Sequence, residues 1–190
     1  MISVLKIEPE ELRAKLRAIR NWAAKMLSMT LLAGLLVAAI VMFAGTAAGA
    51  ELQTFDAKSL DTIRAAHAGK PFVLAFWSVY CEPCREEMAL WKSLRSKYPG
   101  VPVVLVTTDP PEERAAVVKF LARHNPGRVE HWAFADEFSE RVRYAVDRSW
   151  RGELPRTYLF DATHQSLARS GVPDRRWIDD WFSQQTARKR

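Results

Sequence analysis

Phe72-Val73-Leu74-Ala75-Phe76-Trp77-Ser78-Val79-Tyr80-Cys81-Glu82-Pro83-Cys84 is the stretch on which the fold turns. Its first six residues are all apolar and of strand length, the pattern of a central strand covered on both faces. Shortly after it, two cysteines separated by Glu82 and Pro83 coincide with the start of a helix. Met88, Trp91, Leu94 and Tyr98 set the apolar side of that helix, and Pro99-Gly100 stops it. A thiol in the first turn feels unpaired backbone N–H groups and the positive end of the helix dipole, both of which favour the thiolate. The second thiol lies one turn further on, on the same side. Such a pair can close to a disulfide and reopen with little backbone motion. It can also attack a partner disulfide and then free the partner through the second cysteine.

Outward from this stretch, strands and helices alternate. Leu52–Phe55 reads as a short strand. Asp56 is placed to cap a helix with Leu60, Ile63 and His67 on one face, ended by Gly69-Lys70-Pro71. Val101–Val106 reads as a second buried strand. Asp109-Pro110-Pro111-Glu112 predicts a helix start with Asp109 as N-cap, and with Val117, Val118 and Leu121 inside. Asn125-Pro126-Gly127 closes that helix. Val129–Ala135 is a further strand, and Asp136 opens a helix carrying Phe138, Val142, Ala145 and Val146. Arg156–Phe160 and Ser166–Ser170 pair as an antiparallel hairpin. The last helix starts near Asp174 and buries Trp177, Ile178, Trp181 and Phe182. The order β-α-β-α-β-α-β-α-β-β-α predicts one α/β domain over residues 51–190, with a central mixed β-sheet flanked by helices.

The chain ahead of this domain differs in kind. Met26 to Ala50 contains no charged residue, long enough to cross a bilayer core. Lys and Arg precede it and none follows until Lys58, so residues 1–25 are expected to stay cytoplasmic and the domain to be exported. Ala48-Gly49-Ala50 fits a signal-peptidase site. Residues 26–50 are thus either a cleaved signal peptide or a retained membrane anchor. The expected location is the cell envelope, the periplasm, where a thiol pair meets oxidised partners.

Charge and composition narrow the function classes. The net charge of +6 divides evenly between residues 1–50 and the rest, where 22 basic residues are interspersed with 19 acidic ones. That distribution does not make the clustered positive surface nucleic acid requires. The 2 cysteines exclude a disulfide-dense scaffold. Attachment of c-type haem requires His after the second cysteine, and Arg85 stands there. His67, His124, His131 and His164 show no paired metal-ligand spacing. The reading therefore requires no cofactor and assigns no metal ligand.

The segment Phe76–Cys84 resembles the active-site segment of the thioredoxin superfamily. The domain is similar to its envelope branch, the TlpA/ResA-like thiol-disulfide oxidoreductases. The helix and strand between Glu112 and Ala135 match the insertion of that branch, and Leu154–Asp161 is similar to the cis-proline loop and the strand after it. The resemblance implies a thioredoxin-like fold with Cys81 as attacking thiolate and Cys84 as resolving thiol. It implies Pro155 as the cis proline facing them, Leu154 as the backbone contact for a peptide, and Glu87 as an acid able to relay a proton. Trp77, Tyr80, Glu82 and Pro83 would form the surface met by a client. Clients would be proteins with disulfides or thiols, with cytochrome c haem-site cysteines or a copper-site assembly protein as candidates. A membrane donor would supply electrons, and the membrane itself is a partner if 26–50 is retained.

Some positions depart from the family pattern. Ala75 stands where cytoplasmic thioredoxins carry a buried Asp, Tyr80 where Trp is common, and Arg156 where a small hydroxyl residue usually follows the proline. Arg156 either offsets the charge of Glu82 or points to water. The Asp147–Glu153 segment is longer and more charged than usual. Glu82, between the cysteines, disfavours the Cys81 thiolate and so favours a reductant, while Arg85 and Arg156 oppose it. The alternative is a metallochaperone or client-binding module on the same fold, without redox turnover.

Overall fold

The strands are β1 (Leu52–Phe55), β2 (Phe72–Trp77), β3 (Val103–Thr107), β4 (Glu130–Phe134), β5 (Arg156–Phe160) and β6 (Ser166–Ser170). The helices are α1 (Ser59–Ala66), α2 (Glu82–Lys97), α3 (Arg114–His124), α4 (Ser139–Val146) and α5 (Arg175–Ala187). This computed structural model describes Arg20, Trp22 and residues 52–135 and 139–187. The apolar run 26–50, its cleavage site, Asp136 and Phe138 lie outside the described residues, and no described helix is long and apolar enough to cross a membrane. The chain divides into two units, Met1–Ala47 and Ala48–Arg190, and every element above belongs to the second.

The strands form one mixed sheet in the order β1-β4-β3-β2-β5-β6. β2, β3, β4 and β1 run parallel, whereas β5 is antiparallel to both β2 and β6. The expected element order and the thioredoxin-like α/β architecture are both present. The predicted inserted helix and strand are α3 and β4, with β4 taking the place between β1 and β3.

All six residues of β2 are buried because both faces of the strand are covered. Val73, Ala75 and Trp77 project into a core shared with α2, α3 and α5, together with Cys84, Met88, Trp91, Leu105, Leu159 and Phe182. Phe72, Leu74 and Phe76 project into the opposite core, which is rich in aromatics: Phe55, Phe134, Trp150, Tyr158 and Phe160. Ring pairs such as Phe72–Phe160 at 4.6 Å and Phe55–Phe76 at 5.5 Å fill that second layer. β6 is exposed throughout and polar at both ends, a short edge strand that discourages further pairing.

Two helix starts differ from expectation. α1 begins at Ser59, and the Asp56 carboxylate accepts from the Lys58 N–H at 2.8 Å and the Ser59 hydroxyl at 2.9 Å just ahead of it. α3 begins at Arg114 after a 3-10 turn, Pro111–Glu113. Asp109 does not cap α3; its carboxylate turns inward, as described below. Val118 is 40% exposed rather than buried. On a helical wheel it lies about 100° from Val117, whereas Phe120, Leu121 and His124 stay near that direction. α5 starts where expected, with Asp174 accepting from the Trp177 N–H at 2.9 Å.

Candidate active site

Cys81 is the N-cap of α2, with extended backbone angles, and Pro83 stands in the first turn, where a missing N–H leaves no helical bond unmade. The Cys84 N–H points at the Cys81 sulfur, 3.3 Å away. The two cysteines are joined by a disulfide, with Cα atoms 5.3 Å apart. Cys81 is partly exposed, whereas Cys84 is fully buried. The inward side of α2 is set by its period: Cys84, Glu87, Met88, Trp91 and Leu94 are all buried.

Glu87 is therefore enclosed, 0% exposed, one turn beyond Cys84. Neither carboxyl oxygen has a hydrogen-bond partner, and the indole nitrogen of Trp91 has none either. Burial pushes the Glu87 carboxyl up to about 8, and the Trp91 N–H, near it but out of hydrogen-bond geometry, draws it back only in part. Ala75 belongs to the same core, and its cross-strand partner Thr157 has a buried hydroxyl without a partner. This layer thus holds protonatable and hydrogen-bonding groups in apolar surroundings behind the disulfide.

Two residues ahead of Cys81, the backbone is tied down by Asp109. Its carboxylate accepts from the Ser78 hydroxyl, the Thr107 hydroxyl and the Val79 N–H, the last at 2.9 Å. The Ser78 hydroxyl in turn accepts from the Tyr80 N–H at 3.1 Å. Sequence reading assigned Asp109 to a helix cap and missed this role. The signal was present: β2 and β3 are adjacent and parallel, in a register pairing Trp77 with Thr107, so the loops leaving them meet.

The remaining expected site residues are placed as follows. Trp77 is buried and packs on Phe120 of α3, ring centroids 4.8 Å apart. Tyr80 is 73% exposed, and its hydroxyl donates to Glu113 at 2.7 Å. Glu82 is exposed and ion-paired with Arg85 at 2.9 Å. The Leu154–Pro155 peptide bond is cis. Continuing the β2–β5 register sets Pro155 level with Trp77. Trp77 and Cys84 lie in one core cluster, with Cys81 and Leu154 packed against it.

Arg156 does not join this group. Because side chains alternate along β5, it faces the other side of the sheet with Tyr158. It pairs with Asp147 at 2.8 Å and donates to the hydroxyls of Tyr158 at 3.1 Å and Ser170 at 2.8 Å. It therefore neither offsets Glu82 nor points to water. Burial works against the Asp147 charge, but hydrogen bonds from Ser149, Tyr158 and Arg156 outweigh it and hold the carboxyl at about 2. The charged Asp147–Glu153 segment is anchored by this network, including Ser170 donating to Glu153 at 2.9 Å.

No family model matches the chain. It is 33% identical over 94 residues to the thiol-disulfide oxidoreductase ResA of Bacillus cereus, a match covering 49% of this chain and 50% of the relative. The chain thus spans about half the length of the curated relative it matches. Among solved structures, it is similar to a secreted Mycobacterium tuberculosis disulfide oxidoreductase homologous to Escherichia coli DsbE, with TM-score 0.51 and 18% identity over 63% of this chain and 85% of that one. A thioredoxin-family thiol:disulfide interchange protein from Chlorobium tepidum gives TM-score 0.54 and 16% identity over 64% and 83%. A secreted thiol-disulfide isomerase from Corynebacterium glutamicum gives 0.54 and 15% over 65% and 74%. The structural likenesses establish a thioredoxin-like fold, and with the curated relative they bear out the resemblance to the ResA-like thioredoxin superfamily.

Proposed function

We propose that the chain is an extracytoplasmic thiol-disulfide oxidoreductase that reduces client proteins. One observation carries the reading: a partly exposed cysteine caps a helix and is joined to a buried cysteine one turn on. In the reduced protein the Cys81 thiolate attacks a client disulfide. A Cys81–client bond forms, the client bond breaks, and the leaving client sulfur takes a proton. Cys84 then gives up its proton and attacks the Cys81 sulfur. The second client thiolate leaves and is protonated, the client has gained two electrons, and Cys81–Cys84 is oxidised. A membrane dithiol donor restores the reduced pair.

Glu87 supplies the proton path in this proposal. A carboxyl held near 8 beside the buried thiol can accept the Cys84 proton and return it near neutral pH. Pro155 and Leu154 would receive the client backbone, with Trp77, Tyr80, Glu82 and Pro83 around the reacting sulfur.

The reducing direction is supported by how the local cations are used. Arg85 is paired with Glu82, and Arg156 with Asp147 on the far face, so neither is left to stabilise a thiolate. The Cys84 N–H remains as the donor at the Cys81 sulfur. A reduced form without strong stabilisation makes a better reductant. Export by the 26–50 segment, whether cleaved or retained, belongs to the same proposal. So do clients in cytochrome c maturation or copper-site assembly.

Turnover of a protein disulfide such as insulin tests the reading. Cys81→Ser is expected to abolish it, and Cys84→Ser to accumulate a mixed disulfide. A reduction potential near that of thioredoxin, about −270 mV, agrees with a reductant, and one near about −120 mV overturns that direction.

A further inference from the structure

Beside the disulfide, on the β3 side, a groove of about 370 Å³ opens between α2 and α3. Val79, Ala116 and Phe120 supply its apolar surface, and Arg85, Lys119 and Arg123 its charge; no carboxylate lines it. The helix period explains the arrangement. Ala116, Lys119 and Arg123 share one flank of α3, turned about a quarter-circle or more from buried Val117, and Phe120 lies between that flank and the buried side. Phe120 is fixed between Trp77 at 4.8 Å and His124 at 4.3 Å, so the apolar surface is held by the core beneath the active site.

Of the three cations in this groove, Arg85 is paired with Glu82 and the other two are unspent. Glu113 already accepts from Tyr80. Among the described residues, neither Lys119 nor Arg123 has an ion-pair partner. Two free cations over an aromatic surface, reached from Cys81 across Val79 and Arg85, match one chemistry: an acidic polypeptide segment with an apolar side chain among its carboxylates.

We propose that this groove docks an acidic segment flanking the reactive cysteine of the client, so that the oxidoreductase selects disulfides in acidic surroundings. The inference rests on the oxidoreductase reading and adds its substrate class. The groove and Pro155 flank the disulfide from opposite sides, since β2 lies between β3 and β5. The backbone beside the client cysteine and the charged segment further along therefore use separate surfaces.

The test uses the reduced full-length protein and three probes. Two are disulfide-linked peptides identical except that one carries three Asp or Glu residues beside its cysteine and the other three Gln. The third is hydroxyethyl disulfide, small and uncharged. The wild-type rate should be about ten-fold higher for the acidic peptide, and added salt should shrink that ratio. The pair Lys119→Glu and Arg123→Glu should abolish or reverse the ratio, and Lys119→Gln with Arg123→Gln should bring it close to one. Equal wild-type rates for the two peptides, or a ratio that survives both sets of variants, would overturn the docking inference. Failure to reduce any probe, hydroxyethyl disulfide included, would overturn the oxidoreductase reading itself.

Discussion

Glu87 and Asp147 serve opposite faces of one sheet, and their carboxyls have been driven in opposite directions. Glu87 lies behind the disulfide with no hydrogen bond to either oxygen, and burial carries it up to about 8. Asp147 is partly enclosed too, yet the donors of Ser149, Tyr158 and Arg156 bring it to about 2. What separates them is the supply of donors rather than depth alone. The face behind the disulfide withholds them, leaving a group that exchanges protons near neutral pH. The opposite face supplies them, producing a rigid clamp under the proline loop. Asp109, also buried and on the active-site side, meets three donors, which it uses to hold the loop ahead of Cys81.

The largest effect is expected at Asp109. Asp109→Ala strands two hydroxyls and the Val79 N–H, and should cost roughly 3–4 kcal/mol in denaturant unfolding. A cost below about 1 kcal/mol would mean that those donors find water and that the carboxylate is not what holds the loop.

Next comes Glu87→Gln, whose effect has the opposite sign. The carboxyl of Glu87 ionises in the unfolded chain near 4.5 but in the folded protein only near 8. The unfolded state therefore loses its proton first, and wild-type stability falls as pH rises between those values. The Gln variant should be more stable by roughly 3 kcal/mol at pH 7, with the gain vanishing below about pH 4.5. A flat difference across that range would show that Glu87 is not held neutral. The same variant should flatten the pH dependence of client release from the mixed disulfide.

Asp147→Asn probes the opposite face of the sheet. The carboxyl is depressed when folded, so its contribution is present above about pH 4 and fades as pH falls through about 2. Allowing for its partial exposure, the substitution should cost about 1–2 kcal/mol at pH 7 and progressively less as pH falls to about 2 and below, read from urea midpoints. The smallest effect is expected from Tyr80→Phe. Its hydrogen bond to Glu113 is exposed, and its loss should change stability by less than about 0.5 kcal/mol.

The alternation of elements was legible because its signals are local. The all-apolar β2, the proline stops and the three-to-four-residue spacing of apolar positions in α2 each declare themselves within a few positions. Failures arose where a side chain answers to a distant partner. Asp109 carries a good helix-cap pattern, yet the loop of a neighbouring strand captured its carboxylate. Val118 is apolar in an amphipathic helix but lies off the buried arc, while Phe120 is drawn inward by Trp77. Arg156 could not be placed without the register of β5, which decides the face it takes. At the candidate site, the cysteines were identifiable from spacing and context. The resemblance implied Glu87 as a proton-relaying acid but not its depth, and its burial follows from the rotation of α2 against the sheet.

Composition and pattern alone determined a charge-free run ahead of an α/β domain and a cysteine pair at a strand-to-helix junction, because these depend on neighbours in the chain. Tertiary structure decided which carboxyls keep their protons, which arginines are already committed, and that a groove holding two unpaired cations opens beside the disulfide. Each of those depends on which donors, acceptors and charges the fold brings within a few ångströms, and Coulomb and hydrogen-bond energies are set by that distance and by the exclusion of water.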